Sequence, residues 1–135
     1  MVTIISSYQD GFRGTACKIT GGPLYQNIHT IISSASVKAV TEQCRKDVAA
    51  LGKDEGSLKE SIKRAVTQGR FRGSEWCQIN SNNVWAACDA YSFTEKAWIE
   101  AAHKEMDCEF YIKFCIGITG AVVLIVSFHP PRQRH

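Results

Sequence analysis

The stretch from Phe114 to Phe128 carries no charged residue, and whatever this chain folds into must bury it. Arg132 and Arg134 follow it, the arrangement of an apolar membrane anchor with a basic tail. A helix that crosses the hydrocarbon core needs about 20 largely apolar residues. Here the run is bounded by Lys113 and interrupted by Gly117, Thr119 and Gly120, so it is too short and too punctuated. Its period is that of strands. Phe110, Ile112, Phe114 and Ile116 alternate with Tyr111, Lys113 and Cys115, while "AVVLIVSF" is apolar at nearly every position, as a strand covered on both faces would be. We read a β-hairpin turning at Thr119-Gly120 that supplies central strands of a sheet, and no membrane span.

Upstream, Asp10-Gly11 between "TIISSYQ" and "FRGTACKIT" suits a tight turn and predicts an N-terminal hairpin. Gly21-Gly22-Pro23 breaks it, and "YQNIHTIISS" fits either strand or helix. From Ser36, Val37, Val40, Cys44, Val48 and Leu51 form one helical stripe, which puts Cys44 in the core. Ser57 and Glu60 form a capping box for a second helix bearing Leu58, Ile62, Ala65 and Val66, stopped by Gly69. "EWCQINSNNVWAAC" reads as a second hairpin, with Ile79 opposite Val84 and Cys77 opposite Ala86. Ser92 and Glu95 form another capping box, which predicts a third helix to about Met106 with Trp98, Ala101 and Ala102 on its buried side. Hairpins and helices interspersed without βαβ alternation predict a single α+β domain over 1–135, a sandwich of an antiparallel sheet with about three helices packed on it.

The 135 residues include six cysteines, Cys17, Cys44, Cys77, Cys88, Cys108 and Cys115. No CxxC or HxxxH spacing is present, so neither a metal site nor any cofactor is expected. An even count favours disulfides, of unknown pairing, and an oxidising compartment. The start "MVTIISSYQDG" lacks the basic and apolar regions of a signal peptide. The expectation is therefore a mature secreted chain, the alternative a cytoplasmic one with reduced thiols.

Candidate chemistry comes from two groups. His129 ends the apolar strand, where it is expected beside Phe110; with His29 and the cation Lys113 it would make an acid-base set for metal-independent RNA cleavage. Arg72 would be a second cationic helper. The other group is basic: Lys59, Lys63, Arg64, Arg70 and Arg72 face only Glu60 between Ser57 and Gly73, with Phe71 between the two last arginines. Such a cluster suits a protein target or an anionic cell surface, and nucleic acid also fits its charge. No phosphate-binding glycine loop, favoured cysteine nucleophile or paired-carboxylate motif stands out. The function expected from these features is a small secreted, disulfide-stabilised toxin or effector that acts by binding. A ribonuclease-type toxin using His129 and an intracellular immunity or anti-defence protein with free thiols are the alternatives.

Overall fold

A computed structural model describes residues 1–131. Arg132, Arg134 and His135, the basic tail and last histidine, lie outside the described residues. Strands β1 (Thr3–Ile4), β2 (Cys17–Ile19), β3 (Ser36–Ala39), β4 (Arg70–Asn80), β5 (Val84–Ile99), β6 (Lys104–Ile116) and β7 (Val122–His129) form one mixed sheet. Its order is β2-β4-β5-β6-β7-β3, with β1 parallel to the start of β5. Helices α1 (Ile28–Ile31), α2 (Glu42–Ala50) and α3 (Glu55–Gln68) complete an α+β architecture. At 45% strand against 23% helix, the sheet dominates. No described helix is long and apolar enough to cross a membrane.

The charge-free stretch is the β6–β7 hairpin, joined by the turn at Thr119-Gly120. Phe110, Ile112, Phe114, Val123, Ile125 and Phe128 have almost no exposed surface, and Leu124 and Val126 on the other face are buried too. Local signals also place α3. Asp54 accepts from the Ser57 amide, and the Ser57 hydroxyl accepts from the Asp54 amide, so the capping box lies one turn before the expected Ser57–Glu60 pair. Leu58, Ile62 and Ala65 face inward as the stripe requires. Gly69 ends the helix where a Cβ would strike the carbonyl oxygens of Ala65 and Ser92, so the absent side chain lets α3 close onto β5.

Three expectations are corrected. The predicted third helix is instead the second half of β5, a short 3-10 turn at Glu100–Ala102, and β6. Eleven successive pairs from Asp89↔Phe114 to Ile99↔Lys104 outweigh the helix-favouring composition; Trp98 is exposed, not buried. The N-terminal hairpin does not form either. Asp10-Gly11 is a turn, but β1 pairs parallel with β5 and β2 pairs antiparallel with β4, partners too distant in sequence to be read locally. Finally, Ser36–Ala39 is strand β3, parallel to β7, and the helix begins only after Thr41. Thr41 accepts from the Cys44 amide and donates to the Val126 carbonyl, pinning α2 to the sheet. Cys44 and Val48 still face the core.

The helices pack on one face. Ser61 and Lys53 reach Glu95, and the Lys53 ammonium lies 5.5 Å from the Phe128 ring centroid, so α3 and its preceding loop cover the face bearing Phe93, Phe110 and Phe128. The N-terminal segment extends this layer: Phe12 packs against Trp76 and Trp85, and Leu24 and Tyr25 donate to Asp89. Strand alternation turns Arg70, Glu75, Cys77, Cys88, Tyr111, Lys113, Cys115 and His129 to the opposite face. No described helix lies there.

Candidate functional site

The helix-free face has two chemically different parts. At the end near the start of β4 it is polar. His129 pairs with Tyr111 in the ladder, not with Phe110, because a bulge between Lys113 and Phe114 shifts β7 by one residue. The imidazole stacks on Tyr111 at 5.5 Å, and the Lys113 ammonium sits 5.8 Å from the same ring. Nδ1 of His129 lies 2.6 Å from the Pro130 carbonyl oxygen. A carbonyl only accepts, so Nδ1 carries a proton, and in the neutral imidazole the lone pair is therefore on Nε2. Lys113 is tied to Glu75 at 2.5 Å. The structure thus places His129 and Lys113 against the same Tyr111 ring, but not His29, which is exposed on α1, in the layer on the other side of the sheet.

The basic cluster divides in the same way. Lys59 donates to the Ser33 carbonyl, Lys63 pairs with Glu60 at 3.4 Å, and Arg64 lies 3.9 Å from Glu95, all on α3. Arg70 and Arg72 emerge at the start of β4, and no carboxylate of a described residue lies within 4.0 Å of either. Phe71 between them is exposed, its ring edge-on to Tyr91 at 5.5 Å. Arg72 lines a groove of about 520 Å³ with Lys18, Thr20, Glu75 and Tyr111. A smaller one of about 210 Å³ joins Arg70 to Ser92, Thr94 and Glu109.

Beyond Ser92 and Tyr111, β5 and β6 lose their outer neighbours and continue as a two-stranded arm. Trp98 and Met106 are exposed on it, at 57% and 40%. The sequence conceals this arm because its Glu, Lys and Ala content reads as helix. The available signal was the run Tyr91, Phe93, Trp98 and Ile99, which favours strand.

The second part of the face is a row of thiols. Cys77, Cys88 and Cys115 lie across three adjacent strands, and Cys88 occupies the middle. All six cysteines are free thiols, the closest pair being 4.0 Å apart. Cys77 is held below the usual thiol range, first by a hydrogen bond from the Cys88 thiol and then, against the cost of burial, by the Lys113 charge. Burial pushes Cys88 well up. Burial opposes the charge on Lys113 too, but the Cys77 sulfur and Glu75 outweigh it and raise its pKa. Among the described residues, no group of three or more His, Cys, Asp or Glu is placed to hold a metal ion.

Comparison with family models, with curated proteins and with solved structures finds no match to this chain.

Proposed function

We propose that the chain is a binding protein of the toxin or effector class, or the immunity or anti-defence partner of one, and that it grips an acidic protein surface through Arg70, Phe71 and Arg72. The observation that carries this reading is the pair of arginines that have no carboxylate partner among the described residues and that flank, in sequence, an exposed aromatic residue. Arginine and aromatic side chains are the usual energetic anchors of protein interfaces. Guanidinium forks also match carboxylates two bonds at a time. Lys59, Lys63 and Arg64, already engaged along α3, contribute field more than contact. Nucleic acid and anionic lipid are the competing ligands of such charge.

Parallel affinity capture with wild-type protein, Arg70→Glu/Arg72→Glu and Lys59→Glu/Lys63→Glu tests the assignment. A protein target kept by the wild type and the helix variant but lost by the arginine variant supports it. Equal capture by all three rejects it. This reading has an intracellular form with reduced thiols and a secreted, disulfide-bonded form. Intact mass after alkylation, with and without prior reduction, separates the two: reduction exposes additional thiols only in the secreted form.

One observation favours a second reading, a metal-independent ribonuclease: His129, whose neutral imidazole has its lone pair at Nε2, and the Lys113 ammonium both pack against the Tyr111 ring. Imidazole of this tautomer accepts a proton from a 2′-hydroxyl, and a nearby cation stabilises the charge that develops on phosphate. RNA cleavage in the presence of a chelator, abolished in His129→Ala, would establish it. Cleavage that persists in the variant would remove it.

A further inference from the structure

We infer that Cys77 and Cys88 form a two-thiol redox site on the helix-free face, with Cys77 the thiol that attacks a hydroperoxide and Cys88 the one that resolves the product. Three features carry the inference. Cys77 stands opposite Ala86 while Cys88 stands opposite Glu75, so the two thiols are diagonal neighbours on the same face of an antiparallel pair. A flat sheet holds such diagonal positions too far apart for a disulfide. Here a bulge between Gln78 and Asn80 adjoins Cys77, and bulges increase the local twist that draws diagonal partners together.

The second feature divides the roles. Cys77 keeps about a tenth of its surface exposed, at 9%, whereas Cys88 and Cys115 have none. Of these three, only Cys77 is within reach of a small molecule. The third is Lys113, whose side chain is only 17% exposed on this face and whose ammonium is paired with Glu75, two residues from Cys77. A cation there favours the thiolate, the form that attacks. Purely structural thiols have no use for one.

The chemistry balances with two co-reactants, a hydroperoxide and a low-molecular-weight thiol. The Cys77 thiolate attacks the outer peroxide oxygen; a sulfur–oxygen bond forms, the oxygen–oxygen bond breaks, and the alcohol or water leaves with a proton taken from solvent. Cys77 is now a sulfenic acid, oxidised by two electrons. The Cys88 thiol then attacks the Cys77 sulfur, forming the disulfide and expelling the hydroxyl as water with the Cys88 proton. Two equivalents of small thiol return the pair to its reduced state and leave as their own disulfide.

Folded full-length protein is treated with hydrogen peroxide, quenched with an alkylating agent, and examined by intact mass and peptide mapping. The expected product has lost two hydrogens and two alkylatable thiols, with one cross-linked peptide joining Cys77 to Cys88. Cys88→Ser should stop at a sulfenic acid on Cys77 that a dione probe captures, and Cys115→Ser should behave as wild type. Lys113→Met, its fold checked by circular dichroism, should slow oxidation about tenfold. The inference is overturned if all six thiols remain alkylatable at peroxide levels that oxidise a free cysteine peptide, if the cross-link joins other cysteines, or if Lys113→Met reacts at the wild-type rate.

Discussion

Asp89 and Cys88 are adjacent on β5, have no exposed surface, and point to opposite faces of the sheet. The molecule treats them very differently. Asp89 receives the amides of Leu24 and Tyr25 at 3.0 Å and the Ser74 hydroxyl at 2.6 Å, so a buried carboxylate is met by three donors. It ties the N-terminal segment to the sheet. Cys88 receives no such care: its thiol points at the Ala86 carbonyl at 3.6 Å and otherwise meets other thiols. A buried polar group that is fully satisfied fixes a fold, whereas a thiol that meets only a distant carbonyl and other thiols adds little to it. The comparison extends to the two faces. One holds the aromatic core and the ion pairs that lock the helices; the other carries Arg70 and Arg72, His129 and the row of thiols.

If that division is right, damage to the helix-covered face costs stability first. Asp89→Ala should lose about 3–5 kcal/mol, because the Leu24 and Tyr25 amides and the Ser74 hydroxyl then compete for nothing. Phe128→Ala, which removes a ring packed on both Phe93 and Phe110 at 5.9 and 5.5 Å, should cost a similar roughly 3–5 kcal/mol. Urea unfolding followed by tryptophan fluorescence measures both. Glu95→Ala should cost less, about 2 kcal/mol, since it strands the Lys53 ammonium but Lys53 retains some access to water. On the other face, Cys115→Ala should move the urea midpoint far less than any of these, and a loss as large as that of Phe128→Ala would erase the contrast.

Titration sharpens the same comparison. Burial pushes Cys44, under α2, up to about 12 and Tyr91 to about 12. Groups with raised native pKa values stabilise the fold below their unfolded pKa and lose that contribution as pH rises through the native value. Stability should therefore fall as pH climbs from about 9 toward about 12, and a urea midpoint that is flat across this range would contradict it. Cys44 should also resist alkylation under conditions where Cys77 reacts. Asp54 runs the other way. Its cap to the Ser57 amide holds its carboxyl below the usual range, so its contribution is present above the unfolded pKa and disappears as pH falls through the depressed native one. The difference in midpoint between wild type and Asp54→Asn should be small at neutral pH and vanish in acid.

What could be read from the sequence follows the range of the forces involved. The Cys77↔Ala86 pair, the β6–β7 hairpin and the inward faces of α3 depend on neighbours close along the chain, and the residues announce them, whereas the expected Ile79–Val84 pair gives way to Asn80↔Val84 across a bulge. The parallel pairings of β1 with β5 and β3 with β7 join segments some 80 residues apart, and no local pattern in Thr3–Ile4 or Ser36–Ala39 points to its partner. Ser92 and Glu95 imitate a capping box, yet Glu95 is the carboxylate that anchors Ser61 and Lys53 of the helix layer. For the site, Arg70, Phe71, Arg72, Lys113 and His129 were legible as charge and strand ends. The tie between His129 and Tyr111 was not, because one bulged residue in β7 decides it. The exposed Trp98 arm was hidden by its own helix-like composition.

The arm also completes the electrostatic picture. From Thr94 to Glu109 it carries five carboxylates against two lysines, beside a segment from Ser57 to Gly73 with five cations against one carboxylate. An acidic target bound as proposed at Arg70 and Arg72 would thus be attracted on one side of the arm's root and repelled on the other, which would orient it.

In the proposed binding mode the arginines at the start of β4 make the contact, from the face opposite the helices. The salt dependence of target affinity, measured side by side for wild type and Arg70→Glu/Arg72→Glu, tests this most directly. Wild-type binding should weaken steeply with added salt, and the variant, with an unchanged unfolding midpoint, should bind at least about tenfold more weakly with a flattened dependence. Equal affinity and equal salt dependence in the two proteins would contradict it.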